Sequence, residues 1–108
     1  MVTVVFQRDG SGRVCGFAVG GHAGYAEAGQ DIVCAAVSAI TQTAVLGLEQ
    51  FCGTGVYCAI EPGSLVCRLS SPAQQPGPAW YIVETMLLGL TEIAREHPKY
   101  LRINTQEV

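Results

Sequence analysis

Asp31-Ile32-Val33-Cys34-Ala35-Ala36-Val37-Ser38-Ala39-Ile40-Thr41-Gln42-Thr43-Ala44-Val45-Leu46-Gly47-Leu48-Glu49-Gln50 is the stretch that decides the fold. Within it Val33, Ala36, Val37, Ile40, Ala44 and Leu48, continued by Phe51, recur at steps of three and four, the period of a helix that buries one face. Asp31 reads as the N-cap, because its carboxylate can accept a hydrogen bond from a free first-turn N–H. Gly53-Thr54-Gly55 stops the helix, which therefore runs to about Gln50.

On both sides of this helix the period changes. Val2-Thr3-Val4-Val5-Phe6-Gln7 is rich in β-branched residues, Asp9-Gly10-Ser11-Gly12 is turn chemistry, and Arg13 to Val19 alternates again, so this region predicts a hairpin. Gly20-Gly21 ends it, and His22 to Gln30 has neither period and reads as a mobile loop. Downstream, Val56 to Ile60 and Leu65 to Leu69 flank the turn Glu61-Pro62-Gly63-Ser64 as a second hairpin. Ser71 to Pro78 is too proline-rich for regular structure. A second helix begins near Pro78 or Ala79, with Trp80, Val83, Leu87, Leu90 and Ala94 as its inner stripe and Pro98 as its stop. Tyr100 to Asn104 alternates as a short last strand. The order strand-strand-helix-strand-strand-helix-strand predicts one α+β domain over residues 1–108, with an antiparallel or mixed sheet and both helices packed on one face.

At 108 residues the chain can bury one modest core. A composition of 49% hydrophobic and 14% charged residues predicts a compact protein that keeps some apolar surface, for which a dimer face is one use. The net charge is −3 and the six Lys and Arg are dispersed, which argues against direct nucleic-acid binding. No apolar run reaches the roughly 18 residues of a membrane span. The start Met1-Val2-Thr3-Val4-Val5-Phe6 lacks the basic flank of a signal peptide. A cytoplasmic location without a membrane partner is expected.

The five cysteines, at 15, 34, 52, 58 and 67, are odd in number and form no CxxC pair, which predicts neither a disulfide framework nor a zinc site. Cys15, Cys58 and Cys67 lie in strand-like stretches and Cys52 adjoins Phe51 at a helix end, so these four read as small buried hydrophobes. Cys34 differs. With Asp31 as the cap it falls at the third helical position, where free amide hydrogens and the positive end of the macrodipole favour a thiolate. Such sites lower a cysteine pKa from about 8.5 to roughly 3.5–7.5. His22, one of two histidines and twelve positions upstream in a glycine-flanked loop, brings an imidazole able to take or give a proton. Taken together, Cys34 and His22 fit a nucleophile and its base. Helix-start cysteines also serve as redox sensors, so the residues alone leave catalysis and sensing open.

Other residues have supporting readings. Gly21 and Gly29 suit the hinges of a loop that opens and closes. Asp31 can fix the loop–helix junction or contact His22 in addition to capping. Ser38, four residues after Cys34 on the same side, can donate toward the thiolate or bond back to the carbonyl at 34. The amides of Val33, Cys34 and Ala35 are candidates to hold an oxyanion. His97 reads as a favourable charge at a helix C-terminus. Trp80 and Met86-Leu87-Leu88 read as core or dimer contacts. This chemistry requires no metal and no organic cofactor.

Gly21-His22-Ala23-Gly24-Tyr25-Ala26-Glu27-Ala28-Gly29-Gln30-Asp31-Ile32-Val33-Cys34-Ala35-Ala36-Val37-Ser38-Ala39-Ile40 resembles the signature of the ribosomal-processing cysteine protease family called Prp, the YsxB-like proteins. A weaker resemblance extends over the chain through the strand–helix order and Tyr100-Leu101-Arg102-Ile103. The resemblance implies a cysteine endopeptidase that removes an N-terminal extension from the bacterial large-subunit ribosomal protein L-twenty-seven. It implies Cys34 as nucleophile and His22 as base, with Gly21, Asp31 and Ser38 in support. It also implies a homodimer, a loop between His22 and Cys34 that covers the site, and an apolar pocket near that loop. The segment Pro72 to Pro78 and the tail Gln106-Glu107-Val108 carry no part of the family pattern. The alternatives are a ribosome-associated factor that binds the same ribosomal protein without cutting it, and a thiol redox sensor.

Overall fold

The computed structural model describes residues 1–21, 28–53, 55–70 and 77–108, the first three of the second stretch by backbone alone. Along the chain run β1 (Val2–Arg8), β2 (Val14–Gly20), α1 (Ala28–Cys52), β3 (Val56–Glu61), β4 (Ser64–Leu69), α2 (Pro78–Glu96) and β5 (Leu101–Glu107). This is the α+β order the periodicities predict. The strands form one sheet in the order β3-β4-β2-β1-β5. It is mixed, because β1 pairs antiparallel with β2 but parallel with β5.

Local chemistry explains the first hairpin. One Asp9 carboxylate oxygen accepts from the Ser11 and Arg13 amides and the Ser11 hydroxyl, each at 2.9 Å, so the turn is tied to one side chain. These donors, the Arg13 amide first, hold the Asp9 carboxyl below its ordinary range. Gly12 turns the chain at φ +83°, a left-handed conformation suited to glycine. Cys15 is the extra residue of a bulge, since Gln7 pairs with Gly16 and Arg8 with Val14.

Both helices bury their stripes on the same face of the sheet. Val33, Val37, Leu48, Val83, Met86 and Leu90 share one core with Val2, Val4, Phe6, Leu65, Cys67 and Leu101. The α1 stripe rotates slightly from the sequence reading. Phe51 is 69% exposed, while Cys52 packs at the core edge and Val45 is buried. Thr41 enters the core as the one buried polar residue among those described, and its hydroxyl donates to the Val37 carbonyl at 2.8 Å, which removes the penalty of burial. On α2, Met86 takes the central place and Leu88 faces outward at 70% exposure. His97 is the C-cap residue and its amide donates to the Ile93 carbonyl.

Two boundaries move in ways that matter. Residues 28–30, assigned to the loop from sequence, are the first turn of α1. Ala28 and Gln30 are good helix formers, which favours a start before Asp31 despite Gly29 between them. The last strand reaches Glu107 because its backbone pairs with β1 as far as Arg8↔Glu107, while its polar side chains face solvent and leave no hydrophobic alternation to read. Asp31–Cys52, 22 residues, is long and apolar enough to cross a membrane by length and composition, with a mean hydropathy of 1.6 in its most apolar 18-residue window, of which 33% is buried inside the protein. Interspersed Thr, Gln and Glu break any continuous run, yet the average stays high because one face is a core stripe.

Candidate active site

Cys34 lies in the second turn of α1, not at the third helical position, because the helix begins at Ala28. Asp31 is accordingly an exposed member of the first turn and not the N-cap. Its carboxylate still belongs to the first turn, at the positive end of the helix, a favourable charge–dipole arrangement. The shift of four residues changes the electrostatics of the sulfur. The unpaired N–H groups of a helix that starts at Ala28 belong to residues 28–30, so the amides of Val33, Cys34 and Ala35 sit within the hydrogen-bonded ladder and do not point free at an oxyanion. The Cys34 thiol is also not lowered by its described surroundings. Burial pushes it above its ordinary value, and the Asp31 carboxylate adds to the effect.

Cys34 opens into a cleft of about 250 Å³. One wall is α1, through Cys34, Val37, Ser38, Thr41 and Gln42; the other is the turn of the β3–β4 hairpin, residues 60–65, and Val2 and Val19 of β1 and β2 complete the lining. Cys34 and Ser38 thus share one surface a helical turn apart. Val2, Val19, Val37, Ile60 and Leu65 give the cleft apolar surface, and Ser38, Thr41, Gln42, Glu61 and Ser64 give it polar surface of similar extent, a mixed lining suited to an extended peptide with apolar side chains.

Gly21 has a clear structural reason. Its φ is +92°, and a Cβ there would stand 2.7 Å from the Met1 carbonyl oxygen, so only glycine fits where β2 hands over to the residues before α1. Gly29, expected as the second hinge, is helical. His22 and the loop residues 23–27 lie outside the described residues. Among the described residues no three His, Cys, Asp or Glu side chains gather to hold a metal.

The sequence reading missed the hairpin wall and Gln42. Gln42 had a signal, since Cys34, Ser38 and Gln42 follow steps of four along one helix face. The hairpin had none, because the sheet order that sets β4 beside β2, and so brings the 60–65 turn over α1, is not a local property.

The family model for the cysteine protease Prp matches residues 1–102. The ribosomal processing cysteine protease Prp of Bacillus subtilis (strain 168) is 30% identical over 115 residues, covering 97% of each chain. The crystal structure of SMU.848 from Streptococcus mutans superposes with a TM-score of 0.84 at 28% identity, covering 100% of this chain and 99% of that one. The ribosomal processing protease Prp from S. aureus with a substrate peptide gives a TM-score of 0.86 at 27% identity, covering 98% of this chain and 100% of that one. The same S. aureus protease with a covalently linked product peptide gives 0.76 at 29% identity, over the same shares.

Proposed function

This chain belongs to the cysteine protease Prp family, and on that premise we propose that it trims the N-terminal extension of the large-subunit ribosomal protein L-twenty-seven, with Cys34 as nucleophile and His22 as base. The observation that carries the proposal is the Cys34 thiol lining a cleft between α1 and the 60–65 turn, within a chain matched by the family over residues 1–102. The covalently linked product peptide of the S. aureus relative supports a mechanism with a covalent intermediate.

The chemistry follows from the state of the sulfur. A thiol held above its ordinary value is mostly protonated near neutral pH, so it needs a base beside it. His22 takes that proton as the sulfur attacks the scissile carbonyl, and returns it to the departing amine. Water, activated by the same imidazole, then hydrolyses the thioester. The 33–35 amides are paired within α1, so the unpaired amides at its start, 28–30, are the candidates on this helix to hold the oxyanion. The substrate enters as an extended apolar segment between α1 and the 60–65 turn. The enzyme acts in the cytoplasm, where ribosomes are assembled, and as a homodimer, which light scattering of the purified chain would test.

The deciding experiment mixes the protein with the unprocessed ribosomal protein of its own organism and reads the product N-terminus by mass spectrometry. The wild type should release one defined extension, and the Cys34→Ala and His22→Ala variants should fold and leave the precursor intact. Tight binding without cleavage by the wild type would favour a non-catalytic factor.

A further inference from the structure

The β3–β4 hairpin carries a second thiol feature that this reaction does not use. Cys58 and Cys67 are direct partners across the two strands, and their Sγ atoms stand 2.9 Å apart, with the Cys58 thiol donating to the Cys67 sulfur. Register explains the closeness. Glu61 and Ser64 close the two-residue turn Pro62-Gly63, with Gly63 at φ +79°, and the pair that closes such a turn is of the hydrogen-bonded kind. Pairs alternate from there, so Cys58↔Cys67 falls on the non-hydrogen-bonded kind, where opposed side chains approach most closely and Cα atoms are roughly 4.5 Å apart. A disulfide joins Cα atoms about 4.4–6.8 Å apart, so the bond fits this ladder without moving a strand.

The two sulfurs differ in access. Cys67 is 0% exposed within the core, whereas Cys58 is half-buried on β3, the edge strand of the sheet. Neither lines the cleft that holds Cys34, although the same hairpin supplies the 60–65 wall of that cleft.

We propose that Cys58 and Cys67 form a redox modification site, a cross-strand dithiol that closes to a disulfide by exchange with a low-molecular-weight disulfide of the glutathione type. The Cys58 thiolate attacks one sulfur of the oxidant, forms the mixed disulfide and releases the first small thiol. Cys67 then attacks the Cys58 sulfur, loses its proton, and releases the second. The oxidant's S–S bond is reduced to two thiols, the protein loses two electrons, and both protein protons end on the released thiols. Burial pushes the Cys67 thiol up, which makes the second step the slower, while its fixed position beside Cys58 makes that step intramolecular. The product ties edge strand β3, which has β4 as its one neighbour in the sheet, to the core and so fixes one wall of the cleft.

The inference stands apart from the protease reading, and its test does not involve cleavage. The reduced full chain is incubated with millimolar oxidised glutathione, blocked with iodoacetamide and digested with chymotrypsin, which cuts after Tyr57, Leu65 and Leu69. Fragments 58–65 and 66–69 should travel as one species, about 2 Da lighter than the two reduced fragments together, and separate on reduction. The linked species should be absent from Cys58→Ser and unchanged in Cys34→Ala. Recovery of the two fragments separately from the wild type, each cysteine carrying its own alkyl or glutathione adduct, would overturn the proposal.

Discussion

Asp31 and Cys34 share the first two turns of α1, three residues apart, and the thiol is held above its ordinary pKa by burial first and by the Asp31 carboxylate second. A raised pKa means less thiolate at any pH below the midpoint. Replacing the carboxylate in Asp31→Asn removes one cause and leaves the other. The alkylation midpoint of Cys34 with iodoacetamide should move to lower pH, and the rate near neutral pH should rise about threefold, the size of a single charge at roughly 5–6 Å in a high-dielectric setting. Above the midpoint the two proteins should react alike. An unchanged profile would assign the whole shift to burial.

Gly21 is fixed by backbone geometry, so the smallest substitution tests it. Gly21→Ala forces a Cβ into the left-handed region and to 2.7 Å from the Met1 carbonyl oxygen. The cost should be about 1–3 kcal/mol. For a domain of this size, thermal unfolding should then come at least about 5 °C lower. Because Gly21 directly precedes His22, cleavage should fall in folded protein as well, at a temperature below the new transition.

Cys67 links stability to alkaline pH. Its folded thiol is raised by burial, so it keeps its proton at a pH where the unfolded thiol, near 8.5, has lost it. Its contribution is therefore fully present below about pH 8.5 and lost as pH rises, at about 1.4 kcal/mol per unit for one thiol. Urea unfolding under reducing conditions should show a wild-type stability that declines more steeply above that pH than the stability of Cys67→Ala. Equal slopes would contradict the assignment.

Ile60 lies at the hairpin wall of the cleft and is 52% exposed, so its replacement bears on substrate more than on the core. Ile60→Ser should lower kcat/KM for the apolar extension about tenfold, chiefly through KM, with thermal unfolding little changed. A loss confined to kcat would show that this wall does not contact the bound peptide.

The α1 stripe, both hairpins and the second helix were legible in the sequence because each rests on a local period or a local turn. The exact start of α1 was not. Asp31 is a good cap by type, but Ala28 and Gln30 extend the helix past it, and that one-turn difference turns Cys34 from a helix-start thiol into one held up by its surroundings. Phe51, read onto the buried stripe, is exposed because a stripe at steps of three and four drifts around the helix over its length, while Cys52 packs at the core edge as its type predicts. The last strand looked short because its outer half pairs only through backbone. Cys34 and Ser38 could be placed on one face from spacing, while the 60–65 wall and the Cys58–Cys67 contact depend on which strands neighbour one another and lay beyond any local pattern.

The claim that Cys34 is the nucleophile is tested most directly by trapping the covalent intermediate. The enzyme is mixed in excess with the ribosomal protein precursor, quenched in acid within the first turnover, and digested for mass spectrometry. A thioester-linked peptide should appear on the fragment that contains Cys34, be absent from Cys34→Ala and be lost on treatment with hydroxylamine. A Cys34→Ala protein that releases the same extension at the wild-type rate, or an adduct that maps to another residue, would contradict it.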